Sequence, residues 1–147
     1  MPKVLIMIGS KSDTEYAEQC LTILSDLGIK SRIEISSAHR QPEQTDQLAR
    51  TATEEGYSVI ICMAGMAAAL PGVVAARTNL PVIGVPLPAS LMGMDSLLAI
   101  SQMPSGIPVA TMGIGTAGAK NAAFLAARIL AIKHSDIKEK LEKYQKK

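Results

Sequence analysis

The chain has 147 residues, 48% of them apolar and 19% charged, with a formal net charge of +2. That length fits one domain, residues 1–147, with enough chain to bury a core without disulfides or a metal, and the composition excludes intrinsic disorder. With no Trp, one Phe, three Tyr and so small a net charge, the chain lacks both the stacking faces and the basic field of a nucleic-acid binder.

The first apolar run, Val4–Ile8, stops at Gly9 and Ser10; it is too short for a signal peptide and reads as a strand. Ser12-Asp13-Thr14-Glu15 has the form of a capping box opening a helix. That helix places Ala17, Cys20, Leu21, Leu24 and Leu27 on one face and ends at Gly28. Ser31–Ile35 reads as a second strand, and Pro42 suits the first turn of a helix running to about Glu55. Val59–Cys62, Val82–Val85 and Val109–Ile114 give three more strands. Ala67–Ala76, Asp95–Gln102 and Ala117–Ile132 supply the helices between and after them. Ser135–Lys147 forms a last, basic helix outside the alternation. Near-continuous Val/Ile runs separated by helices indicate parallel strands covered on both faces: an α/β three-layer sandwich, flavodoxin-like, with a five-stranded parallel sheet and a C-terminal helix.

Charge is uneven along this framework. Residues 59–119 contain only Arg77 and Asp95 as charged side chains, yet six prolines and eight glycines break the stretch, so no membrane-spanning helix fits there. One small domain cannot hide so much uncharged chain, which points to a homo-oligomer, with the basic terminal helix lying on a neighbouring subunit. Cys20 and Cys62 match no zinc or redox spacing and read as buried thiols of a reducing, cytoplasmic compartment.

In such folds ligands bind beyond the carboxyl ends of the strands. After the first strand, Gly9-Ser10-Lys11-Ser12-Asp13 runs into a helix start, where small residues, hydroxyls and the helix dipole suit a phosphate, although ordinary capping explains the same residues. Asp13 is suited to accept from a ribose hydroxyl. After the second strand, Ser36-Ser37-Ala38-His39-Arg40-Gln41-Pro42 delivers a general acid/base candidate, His39, beside a bidentate anion fork, Arg40. The other histidine, His134, falls between the last two helices and is expected to be solvated. After the third strand, Ala64–Gly72 offers backbone as a wall for a flat ligand, or equally a close-packed helix start. Gly113-x-Gly115-x-x-Gly118 has the dinucleotide pattern, but it follows the fifth strand and no later strand carries the ribose-binding acid; tight strand–helix packing is the better reading.

Four segments, taken in order, resemble one family: Gly9–Asp13; Ser37-Ala38-His39-Arg40-x-Pro42; Ala64-Gly65-x-Ala67-Ala68-x-Leu70-Pro71-Gly72; and Asp95–Leu98 with Gln102–Val109. Together they are similar to the PurE family, the N5-carboxyaminoimidazole ribonucleotide mutases of purine biosynthesis, from Val4 to about Ile132. The resemblance implies a flavodoxin-like domain assembling as an octamer. It also implies migration of a carboxyl group on an aminoimidazole ribonucleotide, with no cofactor, ATP or metal. By that match Ser10, Ser12, Asp13 and Arg40 hold the ribose-phosphate, Ser37, Ala38 and Leu70 line the pocket, His39 is the general acid/base, and the Ala64, Gly65 and Met66 backbone faces the imidazole and the migrating carboxylate.

The chain departs from the family at two places. It reads AGMAAALPG where bacterial members typically read AGGAAHLPG, so Met66 stands for Gly and Ala69 for His. The SAHK and AGRSN segments of the animal-type sister group are absent. Two alternatives remain beside the mutase: a PurE-like carboxylase of another heteroaromatic nucleotide, and a nucleotide-binding module without catalysis.

Overall fold

Alternation along the first strand, β1 (Lys3–Ile8), divides the molecule into layers. Val4, Ile6 and Ile8 point into one core, and Leu5 and Met7 into the other. This is the two-sided burial that a continuous apolar run requires. The structure, a computed structural model, describes residues 1–146. It contains β2 (Lys30–Ile35), β3 (Tyr57–Gly65), β4 (Val82–Leu87) and β5 (Ala110–Thr111), paired in parallel in the order β2-β1-β3-β4-β5. The chain steps to one side of β1 to make β2 and returns to the other to make β3. The switch point of the expected flavodoxin-like sheet therefore lies between β1 and β3.

One face of the sheet is covered by α1 (Thr14–Asp26) and α5 (Thr116–Ala131), with α6 (Ser135–Gln145) packed against α5. The α5 face is nearly all alanine (Ala119, Ala122, Ala123, Ala126 and Ala127, each with no exposed surface), which lets helix and sheet approach closely. On the other face α2 (Pro42–Thr51), α3 (Leu70–Ala75) and α4 (Met94–Ser101) contribute Ala49, Leu70, Val74 and Ile100. Truncating one of the fully buried leucines, such as Leu24, costs about 2–5 kcal/mol.

The structure revises several boundaries. The capping box does not form: Ser10 caps instead, its Oγ accepting from the Ser12 N–H at 3.3 Å over a 3-10 turn at Lys11–Asp13, and α1 begins at Thr14. Leu21 is only half-buried; Ile23 takes its place in the core. The second helix ends at Thr51 rather than Glu55, and the third begins at Leu70 rather than Ala67, because Met66 and Ala68 have positive φ and cannot be helical. The fifth strand shrinks to Ala110–Thr111.

The glycine pattern near β5 is structural, as read. A Cβ on Gly118 would collide with the Gly113 carbonyl, and Gly115 (φ +77°) donates its N–H to the Pro86 carbonyl at 2.9 Å. The apolar face of α6 is occupied within its own chain, by Ile137 and Leu141 in the core and by Tyr144 edge-on to Phe124 at 5.2 Å. Both cysteines are buried; desolvation pushes the Cys20 thiol up to about 12 and raises that of Cys62 as well. His134 is half-buried, at the start of α6, rather than fully solvated.

Candidate active site

Beyond the carboxyl ends of β1, β2, β3 and β4 lies a cleft of about 710 Å³. It gathers every site residue singled out above: Ser10, Ser12 and Asp13 from β1; Ser37, Ala38, His39 and Arg40 from β2; and Ala64, Gly65, Met66 and Leu70 from β3 and the start of α3. Segments up to sixty residues apart in sequence thus meet because parallel strands end side by side.

The first wall is built from its own hydrogen bonds. Ser10 Oγ and Ser12 Oγ lie 3.0 Å apart, and Thr14 Oγ1 donates to the Lys11 carbonyl at 2.6 Å, so the turn enters α1 with its hydroxyls at the cleft. Asp13 is half-buried there. Burial raises its carboxyl above the usual range, against the opposing effect of a hydrogen bond from the Ser10 backbone. A carboxylate short of solvent accepts readily from a ligand hydroxyl.

The second wall is the loop 36–41. Ser37 Oγ accepts from the Arg40 N–H at 3.1 Å, Gln41 Oε1 accepts from the Ser37 N–H at 3.2 Å, and Gln41 N–H donates to the Ser37 carbonyl at 2.8 Å. These bonds fix the backbone while leaving the His39 and Arg40 side chains exposed. Among the described residues Arg40 has no carboxylate partner, so its guanidinium is available to an anion. Lys11 is the other cation of the cleft.

The third wall, Ala64–Leu70, carries no charged side chain. Charge is concentrated at one end of the cleft and a small apolar surface at the other. This division suits a ligand with an anionic tail and a flat, weakly polar head. Among the described residues no three His, Cys, Asp or Glu side chains form a group able to hold a metal, and no helix is long and apolar enough to cross a membrane.

Sequence reading missed several contributors. Pro88 and Ala89, beyond β4, complete the rim, and nothing in their type marks them. Thr45, on α2, is fully buried with its Oγ1 2.7 Å from the Oγ of Ser36, which is also buried. Its signal was present: Thr45, Ala49 and Ala52 share one helical stripe, on which a polar residue requires a partner.

Fold and cleft together define a flavodoxin-like α/β protein whose cleft opens at the switch point. The AIR carboxylase family matches residues 3–147, and the chain belongs to that family. Among its relatives is the N5-carboxyaminoimidazole ribonucleotide mutase of Pyrococcus abyssi, 55% identical over 99% of this chain and 83% of its own. The mutase of the same name from Escherichia coli K12 is 48% identical over 98% of this chain and 86% of its own. The crystal structure of PurE from Treponema denticola superposes with a TM-score of 0.90 at 32% identity, covering 99% of this chain and 90% of that one.

Proposed function

We propose that this protein is an N5-carboxyaminoimidazole ribonucleotide mutase of purine biosynthesis, built as one domain over residues 1–147. The observation that carries the reading is the single cleft that sets Ser10, Ser12, Asp13 and Arg40 at a charged end, His39 beside them, and the Ala64–Leu70 wall opposite. The relatives of that name share this chain over nearly its whole length.

In this reading the Arg40 fork and the hydroxyls of Ser10 and Ser12 hold the phosphate, and Asp13 accepts from a ribose hydroxyl. Ser37, Ala38 and Leu70 flank the ring, while the backbone of Ala64, Gly65 and Met66 faces the imidazole. The bond from the exocyclic nitrogen to its carboxylate carbon breaks, leaving the electron pair on nitrogen and releasing CO2. Ring C4 then attacks that CO2 to form the new carbon–carbon bond. His39 takes the proton that C4 must lose and returns one to the nitrogen, so the net reaction is an isomerisation with no other reactant. No cofactor or metal is invoked.

The protein works in the cytoplasm as a homo-oligomer, an octamer in this reading. Supporting the assembly, Leu91, Met92, Met94 and Leu98 expose an apolar surface on the segment that follows the cleft rim at Pro88 and Ala89.

The test is conversion of N5-carboxyaminoimidazole ribonucleotide to its C4-carboxylated isomer by the purified protein without ATP. Turnover supports the reading; nucleotide binding without turnover overturns it in favour of another ring or of a non-catalytic module.

A further inference from the structure

Met66 stands where the backbone calls for glycine. Its N-terminal neighbour Gly65 accepts at its carbonyl the N–H of Ala68, at 3.0 Å, closing a four-residue turn in which Met66 is the second residue with φ +54°. A positive φ at that corner is disfavoured for any residue with a Cβ and free for glycine. The side chain does not repay the strain by packing: Met66 is 61% exposed and stands outside both hydrophobic cores. What it does is line the cleft, beside Ala67, Ala69, Leu70, Pro88 and Ala89, none of them charged.

We propose that the Met66 side chain is a retention element, a flexible apolar cover that keeps the CO2 released within the cleft from escaping or meeting water before C4 captures it. The inference rests on the mutase reading. CO2 is small, neutral and weakly hydrated, so its loss is slowed by excluding water and closing the path rather than by a charged or hydrogen-bonding partner. An unbranched thioether moves aside for the nucleotide and settles over it without demanding a hydrogen bond. The alanine at position 69 leaves that end of the cleft free of polar side chains, which makes an apolar cover consistent with its surroundings.

The experiment is turnover of unlabelled N5-carboxyaminoimidazole ribonucleotide in 13C-bicarbonate, reading the labelled fraction of the product. Being a ratio, it reads how released CO2 divides between escape and capture by C4 rather than total activity. Wild-type protein should retain most of the original carboxyl group. Met66→Gly, which relieves the backbone, should raise the ratio of labelled to unlabelled product roughly tenfold, equivalent to lowering the escape barrier by about 1.4 kcal/mol relative to that of capture. Its melting temperature should not fall. Met66→Gln, similar in length but polar, should also raise labelling, whereas Met66→Leu should stay near wild type. Wild-type labelling in an active Met66→Gly protein overturns this inference and leaves the mutase reading standing, as does complete exchange already in the wild type. Absence of isomerisation by the wild type overturns both.

Discussion

Ser36 Oγ and Thr45 Oγ1 share a hydrogen bond of 2.7 Å with no access to solvent, tying the end of β2 to the first turns of α2. Thr45 Oγ1 also reaches the Ser37 carbonyl at 3.4 Å, and the Ser36 N–H donates to the Ile8 carbonyl at 2.8 Å. The loop bearing His39 and Arg40 is thereby anchored on both β1 and α2. Thr45→Val keeps the shape and leaves the Ser36 hydroxyl buried without its partner. A loss of about 1–3 kcal/mol is expected, read as a lower denaturant midpoint with an unchanged slope.

Arg40→Lys preserves the charge and removes the fork. Nucleotide binding, measured by calorimetry, should weaken by about 1–3 kcal/mol, roughly 5- to 150-fold, because an ammonium cannot pair two phosphate oxygens in one plane. Unchanged affinity would place the phosphate away from this end of the cleft.

His39 is exposed, and the loop bonds around it run through backbone and through Ser37 and Gln41. Replacing it should therefore leave the fold intact. His39→Asn should bind nucleotide normally and lose turnover by about 10²- to 10⁴-fold, the usual contribution of a general acid/base.

Asp13 couples stability to pH in the opposite sense from a paired carboxylate. Its carboxyl is raised in the folded protein, chiefly by burial. Between the unfolded and folded values the native state holds the extra proton, so stability falls as pH rises through that window and stays lower above it. Asp13→Asn should raise the melting temperature at pH 7, with the gain shrinking as the pH is lowered below the unfolded carboxylate value. Ligand affinity should fall at the same time, since the amide is a weaker acceptor for a ribose hydroxyl.

The sheet and the place of the cleft were legible because both follow from where apolar runs stop. Val4–Ile8 halts at Gly9, and Ser31–Ile35 gives way to the segment that carries His39 and Arg40. Parallel pairing then brings such ends together whatever their sequence distance. What could not be read were local conformations set by the surrounding structure rather than by residue type. Nothing in the letters Met66 and Ala68 announces positive φ, so the third helix was expected to begin three residues early. The supposed capping box at Ser12 gave way to Ser10, whose oxygen accepts the N–H of Ser12 itself at the start of the 3-10 turn. The stripe on α2 marks Thr45 as buried, but not which residue partners it: Ser36 lies nine residues away, beyond the end of β2.

Arg77 and Asp46 bear on how the cleft can move. Asp46, in the middle of α2, holds Arg50 through Nε–Oδ2 at 2.7 Å and also meets Arg77 Nε at Oδ1, 2.7 Å away but off the hydrogen-bond direction, an electrostatic contact. Arg77 lies two residues past the end of α3, whereas the loops that open α2 and α3 form walls of the cleft. Each exposed pair adds little to stability alone. Of these pairs, only Asp46–Arg77 runs between the two elements, a single rung like that of a trestle, joining the middle of α2 to the segment just past α3 away from the cleft lining. The loop carrying His39 and the Ala64–Leu70 wall are therefore linked through their helices, behind the cleft rather than across its mouth.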